Sequence, residues 1–333
     1  MSKHIQNVTI IGDGGWGTTL AIHLAKKNYQ VKLWGAFPEY IKYLNKTREN
    51  IKFLPGIKIP KEILILDNLN AAIADADLII LAIPSQFVVG VIKRLKKFNL
   101  KGKILLSVIK GIETTSLKRI SEIIYRELGK VRLAVLSGPT IAREVARGIP
   151  STAVLSSKDM RIARMLQPVI NSKTFRIYTN SDLVGVELGG SIKNVIAIAC
   201  GVCDGLGFGT NTKAAILSRG LAEMARLAVA MGAKSKTLFG LSGLGDLATT
   251  CFSPQSRNRS VGEKLGKGKT IDQITTKMDM IAEGVTTVKA VFALSQRYKV
   301  SMPITREVYN IIYKNKKPNK AVTDLMSRRM RSE

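Results

Sequence analysis

The chain has 333 residues, enough for two domains of ordinary size and a sizeable core. Apolar residues make up 45% and charged residues 23%, which excludes disorder, a collagen-like rod and a continuous coiled coil. Lys plus Arg is 52 against 24 for Asp plus Glu, a net charge of +28, which points to nucleic acid, acidic lipid or phosphorylated small molecules as partners and is silent about fold.

Met1-Ser2-Lys3-His4 runs straight into a strand pattern, without the apolar core and cleavage site of a signal peptide, so a cytoplasmic location is expected. Apolar runs at 8–11, 31–34, 78–83, 104–108, 133–136 and 152–155 read as strands. Segments 16–28, 85–97, 114–128 and 158–171 between them are long enough for crossover helices. Strands apolar on both faces that alternate with helices predict a parallel sheet covered on both sides. Near 180–190 the strand signals fade and helical patterns take over. On 211–231, Leu217, Leu221, Met224, Ala228 and Met231 form one apolar face, with Arg219, Glu223 and Arg226 opposite. Glycine-dense loops are expected at 205–209, 240–245 and 262–268. The fold class is therefore α/β: a parallel-sheet domain over 1–182, then an all-helical domain over 183–333. No run of about 18 uninterrupted apolar residues occurs, so no membrane-spanning helix is expected. Cys200 and Cys203 resemble half a redox or zinc site, but there is no second such pair, and the only histidines are His4 and His23. Small buried thiols, and no metal, are expected.

Gly12-Asp13-Gly14-Gly15-Trp16-Gly17 follows the first strand and opens a helix, the context a dinucleotide fingerprint needs. Gly12 allows the tight turn, Gly14 lets backbone approach a pyrophosphate, and Gly17 lets helix and strand pack closely. The phosphates then face free N–H groups at a helix N-terminus. NAD-specific sites place an acid at the end of the second strand; here Leu33-Trp34-Gly35-Ala36-Phe37 offers neither that acid nor an Arg for NADP. Use of both NAD(H) and NADP(H) is expected.

Gly189-Gly190-Ser191-Ile192-Lys193-Asn194 opens an apolar helical run, where the glycines would let a substrate approach the backbone. Lys193 can give a proton to a developing alkoxide. Lys110, in Val108-Ile109-Lys110-Gly111, ends a strand on the side where ligands gather in such sheets. Asp246, in Gly243-Leu244-Gly245-Asp246-Leu247, is either a helix cap or the partner of a cation. Ser256-Arg257-Asn258-Arg259 offers hydroxyl, guanidinium, amide and backbone donors suited to a phosphate; a capped basic helix explains it equally well.

These pieces, together with Phe53-Leu54-Pro55-Gly56, Ser137-Gly138-Pro139-Thr140 and Glu283-Gly284, resemble in their order the NAD(P)-dependent sn-glycerol-3-phosphate dehydrogenases of the bacterial biosynthetic type, over about residues 5–325. The resemblance implies a Rossmann domain plus an all-helical domain, often a dimer. It implies reduction of dihydroxyacetone phosphate to glycerol 3-phosphate for phospholipid synthesis. It makes Lys193 the proton donor and acceptor. It makes Lys110, Gly138, Thr140, Asp246, Ser256, Arg257 and Asn258 substrate contacts. The cofactor side would hold Gly15, Trp16, Phe53, Lys110, Ala142, Arg257, Ile281 and Glu283 beside Gly12, Gly14 and Gly17. The chain departs from the family where Ala36 replaces Arg or His. Ser191 and Ile109 replace a commoner Ala or Thr. Asp13 replaces a small residue and brings a negative charge expected to weaken pyrophosphate binding.

A reductase of the wider 6-phosphogluconate-dehydrogenase-like group, acting on a hydroxy acid, is the nearest rival; the 256–258 segment and the 137–140 turn favour a phosphorylated substrate. A nucleic-acid binder would suit the charge, but there is no recognised module and only 6% aromatic residues for stacking. Specific nucleic-acid binding is therefore not expected. Weak association with anionic membranes through the basic C-terminus, Lys314 to Arg331, is compatible with the enzyme reading.

Overall fold

Runs of Ile, Leu and Val without polar alternation become the central strands of one eight-stranded sheet. In the computed structural model, which describes residues 5–276 and 282–330, these are β1 (Asn7–Ile11), β2 (Gln30–Trp34), β3 (Leu64–Leu66), β4 (Leu78–Leu81), β5 (Ile104–Ser107), β6 (Arg132–Ser137), β7 (Ser151–Ser156) and β8 (Phe175–Asn180). Their order is β3-β2-β1-β4-β5-β6-β7-β8. From β1 the chain winds first toward β3, then back past β1 to β4, so the carboxyl end of β1 is a topological switch point. Ile10 lies opposite Leu33 on one side and Ile80 on the other. Every residue of β4 and β5 is buried, which is why neither alternates in polarity.

The sheet is not wholly parallel, as the sequence had suggested: β7 pairs antiparallel with β6 and parallel with β8. The connection between β6 and β7 holds only the five-residue helix Ala142–Ala146. Parallel neighbours are usually joined through a full crossover helix, which this connection lacks. Two strands went unread. β3 has three residues, and β8 buries Phe175 and Ile177 while exposing Arg176 and Tyr178, an edge pattern weaker than an apolar run. The 114–128 segment is helical only at Ile120–Leu128, and the 85–97 segment starts with a tight turn, Ser85–Phe87, before the helix Val88–Leu95.

The chain divides into two compact units, residues 1–110 with 119–186, and residues 111–118 with 187–333. The sequence boundary at 182/183 lies one turn earlier and did not foresee the 111–118 excursion. No strand is assigned among the described residues of the second unit. The longest helix among the described residues, Leu183–Gly205, begins in the first unit and continues into the second; it is long and apolar enough to cross a membrane, with mean hydropathy 1.5, although the sequence suggested no such segment, and 94% of that apolar window is buried inside the protein. Helix Arg257–Gly266 packs on it backbone to backbone. A methyl on Gly201 would stand 2.0 Å from the Arg259 carbonyl oxygen, and one on Gly262 2.0 Å from that of Ile198. Gly205 and Gly266 repeat the contact one turn on. Residues 262–266 thus form a helix face rather than the expected loop, and 241–245 form a π-helical turn. Cys200 and Cys203 are buried on the long helix. A hydrogen bond with the Cys251 thiol, then burial, pushes Cys200 up, and burial pushes Cys203 up to about 12, so both stay thiols.

Glu223 corrects the reading of helix Thr210–Ala230. It is 1% exposed, beside Gly220, Met224 and Leu227, and not on the solvent face. Its carboxylate accepts from the Ile304 N–H at 2.6 Å and from the Thr305 N–H and hydroxyl at 3.1 Å, capping helix Pro303–Tyr313. Burial pushes this carboxyl above the usual range. A hydrophobicity wheel cannot see an acid that is buried because another helix needs it. Glu223→Ala orphans two buried N–H groups at about 1–3 kcal/mol each. The urea midpoint should fall accordingly, and less for Glu223→Gln, which keeps one acceptor oxygen. An unchanged Glu223→Ala midpoint would mean that water replaces the cap.

Candidate active site

The turn after β1 is built as a dinucleotide site needs. Gly12 has φ +118°, and a methyl there would stand 2.4 Å from the Ala82 carbonyl oxygen. A methyl on Gly17 would stand 1.9 Å from the Gly12 carbonyl oxygen. Helix Gly15–Ala25 therefore starts hard against the strand ends. Gly14 caps it with no side-chain hydrogen bond, its first turn carries no acid, and a methyl on Gly14 would meet nothing within 4 Å. Open backbone donors beside open space fit a pyrophosphate. Gly15 faces the Phe53 carbonyl oxygen and the Ala142 methyl, while Thr19 donates to the Ala142 carbonyl at 3.1 Å. Phe53 and Ala142 thus border the turn. The Trp16 ring instead packs edge-on against Phe175 in the core, 6.2 Å between centroids. What Trp16 can offer a nucleotide is its backbone. Asn50, which the sequence reading missed, pins the turn: its amide donates to the Asp13 carbonyl and to Thr18 Oγ1, both at 2.7 Å.

At the carboxyl ends of β5 and β6 the first unit gathers Lys110, Gly138 and Thr140. Lys110 Nζ donates to the Gly138 carbonyl at 2.8 Å and to Thr140 Oγ1 at 3.2 Å. Gly138 has φ +137° and lies close on Ala153, so a side chain there would be strained. Its carbonyl is thereby held out toward the lysine.

In the second unit Lys193 and Asp246 form a buried ion pair, with 7% and 2% of their side chains exposed. Lys193 Nζ donates to Asp246 Oδ1 and, at 2.6 Å, to Thr250 Oγ1. Thr250 in turn donates to the Asp246 carbonyl at 2.6 Å. The ammonium is thus held from two sides by one helix turn, Asp246 and the residue four later. Thr250 was missed, although the i, i+4 spacing from Asp246 was readable. Gly189 does not serve a substrate as expected: a methyl there would stand 2.5 Å from the Ser242 carbonyl oxygen, so its role is to seat the turn that delivers Asp246.

The 256–259 run divides its tasks. Ser256 caps the helix, accepting from the Arg259 N–H at 3.2 Å. Arg259 donates to Asp204 at 2.6 Å. Asn258 Oδ1 accepts from the Gly284 N–H at 2.9 Å, which leaves its Nδ2 end as the part able to serve a ligand. Arg257 is exposed at the first helical position, where the dipole also favours an anion. Glu283 opens helix Glu283–Arg297. Ile281, expected on the cofactor side, lies outside the described residues.

Two profiles cover most of this chain: the N-terminus of NAD-dependent glycerol-3-phosphate dehydrogenase matches residues 7–163 and its C-terminus residues 182–323. The chain belongs to the NAD-dependent glycerol-3-phosphate dehydrogenase family. A glycerol-3-phosphate dehydrogenase [NAD(P)+] of Prosthecochloris aestuarii is 49% identical over 96% of this chain and 98% of its own. The crystal structure of glycerol-3-phosphate dehydrogenase from Coxiella burnetii superimposes with a TM-score of 0.94 at 36% identity, covering 97% of this chain and 99% of that one. The Plasmodium falciparum glycerol-3-phosphate dehydrogenase reaches 0.87 at 25% identity over 98% and 97%. Family membership removes the nucleic-acid reading of the positive charge as the main function. The Rossmann-type sheet followed by a helical domain is the family's architecture.

Proposed function

We propose that this chain is an NAD(P)-dependent glycerol-3-phosphate dehydrogenase, reducing C2 of dihydroxyacetone phosphate to give sn-glycerol 3-phosphate for phospholipid synthesis. The observation that carries the chemistry is the buried Lys193 ammonium, oriented by Asp246 and Thr250. The nicotinamide supplies the hydride when bound. Lys193 gives a proton to the oxygen forming at C2, and Asp246 and Thr250 fix the direction of that proton. Gly12, Gly14, Gly15 and Gly17 hold the dinucleotide phosphates by backbone, with Phe53 and Ala142 bordering them. Trp16, Lys110, Arg257, Ile281 and Glu283 complete the cofactor contacts in this reading. Lys110, Gly138 and Thr140 bind polar oxygens of the substrate. Arg257, with Ser256 and Asn258 beside it, binds the phosphate. The first unit is then the nucleotide domain and the second the catalytic one. The enzyme works in the cytoplasm as a homodimer, and weak adsorption on anionic membranes through the C-terminal cations belongs to the same reading.

Oxidation of NADH or NADPH on adding dihydroxyacetone phosphate tests the activity, and a hydroxy-acid reductase would not respond. Arg257 tests the phosphate contact. A hydrogen bond to a charged group contributes about 1.5–3 kcal/mol, so Arg257→Ala should lower kcat/KM at least about tenfold at saturating cofactor. Arg257→Lys should recover only part, because an ammonium cannot make the two parallel bonds of a guanidinium. Full kcat/KM in Arg257→Ala would reduce the segment to a helix cap.

A further inference from the structure

We propose that Asp13 sets cofactor choice: its carboxylate, delivered from the glycine turn to the carboxyl end of β2, accepts the ribose 2′-hydroxyl and rejects a 2′-phosphate, so the chain prefers NAD(H) to NADP(H). The inference rests on reading the 12–17 turn as the dinucleotide site. The usual acid is missing from β2, whose strand ends at Trp34 and continues into Gly35 and an exposed Ala36. A methyl on Gly35 would stand 2.7 Å from Asp13 Cγ and 2.8 Å from its Oδ2. The Asp13 carboxylate therefore occupies the volume in which a strand-end side chain would begin. It does not point along the helix N-terminus, where the sequence suggested it would oppose the pyrophosphate. Glycine at 35 and aspartate at 13 are complementary: the acid has moved from one loop to the other.

Two further observations bear on its role. Asp13 Oδ2 is buried and has no hydrogen-bond partner. An orphaned carboxylate oxygen is a standing cost that a hydroxyl donor would relieve. The backbone of the same residue is fixed by Asn50 at 2.7 Å and by Thr18 at 3.2 Å. Tyr40 in turn holds Asn50 at 2.7 Å. The fixed backbone anchors the side chain, and its broad terminal χ2 torsion lets either oxygen be presented. Burial pushes the carboxyl above its usual range, opposed by its own backbone N–H and by the charge of Lys52. Lys52 is the group that would favour a 2′-phosphate if Asp13 did not act, which makes the direction of preference informative.

The test is direct titration of NADH and NADPH into the full chain without substrate at pH 8, well above the usual carboxylate range. NADH should bind at least about tenfold more tightly than NADPH, and Asp13→Ser should bring the two within about threefold. Moving the acid to the strand, in Asp13→Ala/Gly35→Asp, should restore the preference; the Asp13 carboxylate supplies two of the three nearest atoms, and the third is the terminal methyl of the buried Ile41, 2.5 Å from the new Cβ, which must shift. Equal or tighter NADPH binding by the unaltered chain overturns the proposal, as does an unchanged ratio in Asp13→Ser. Failure of both nucleotides to bind is a different result, because it removes the dinucleotide site itself.

Discussion

Lys193→Met should lower kcat at least about 10²-fold and as much as 10⁴-fold, the range over which positioned general acids contribute. Methionine matches the length of the lysine stem, so the change removes the ammonium while largely filling its space. Without that proton the oxygen at C2 must develop charge beside a side chain that is itself only 7% exposed. The glycine turn of the first unit is untouched, so reduced cofactor should bind with parent-like affinity. That pairing of results is the diagnostic: lost turnover with intact nucleotide binding assigns the residue to the proton, whereas lost binding would signal a general structural failure. Near-normal turnover would reject the assignment of Lys193 as the acid.

The glycine turn was legible because it is bound to a local pattern. The 12–17 turn lies between an apolar strand and a helix, and a methyl on Gly12 or Gly17 would stand only 2.4 or 1.9 Å from neighbouring backbone. Lys110, Gly138 and Thr140, grouped by the family resemblance, follow the ends of two strands that prove adjacent and parallel in the sheet. What stayed illegible depends on contacts between distant segments. Thr250 matters only once Lys193 is seated on its helix turn, 57 residues away in sequence. Asn50 reads as an ordinary loop polar residue until it is found completely buried, tying the glycine turn to the segment that carries Phe53. Glycines misled more than any other residue type. Gly205, Gly262 and Gly266 read singly as loop signals and Gly189 as substrate clearance, yet Gly201 and Gly205 on one helix and Gly262 and Gly266 on another form a close helix–helix contact. Spacing within one helix was visible, but the partner helix that makes the spacing meaningful was not. The same limit applies to the antiparallel β7, whose pairing with β6 depends on the segment between them and not on its own residues.

Asp246→Asn separates the structural from the chemical role of the buried pair. The amide keeps the shape of the side chain and one acceptor oxygen for Lys193 but removes the charge that balances the ammonium. Removing one partner of a buried ion pair typically costs about 3–5 kcal/mol, because the remaining charge stays out of water. The unfolding free energy from denaturant titration should therefore fall by that amount, and kcat should fall with it as the ammonium loses its fixed direction. Lys193→Met/Asp246→Asn removes both charges. Replacing a buried pair by neutral groups of similar volume is often neutral for stability, so the double variant should regain most of the lost stability while remaining as inactive as Lys193→Met. Such a result would mean that the pair is kept for proton delivery, with its contribution to folding close to zero. If the double variant is as unstable as the sum of the two single changes, the two side chains are not energetically coupled. The Asp246 carboxylate would then owe its burial to the helix turn it opens, and Thr250 would be left as the group that orients the Lys193 ammonium.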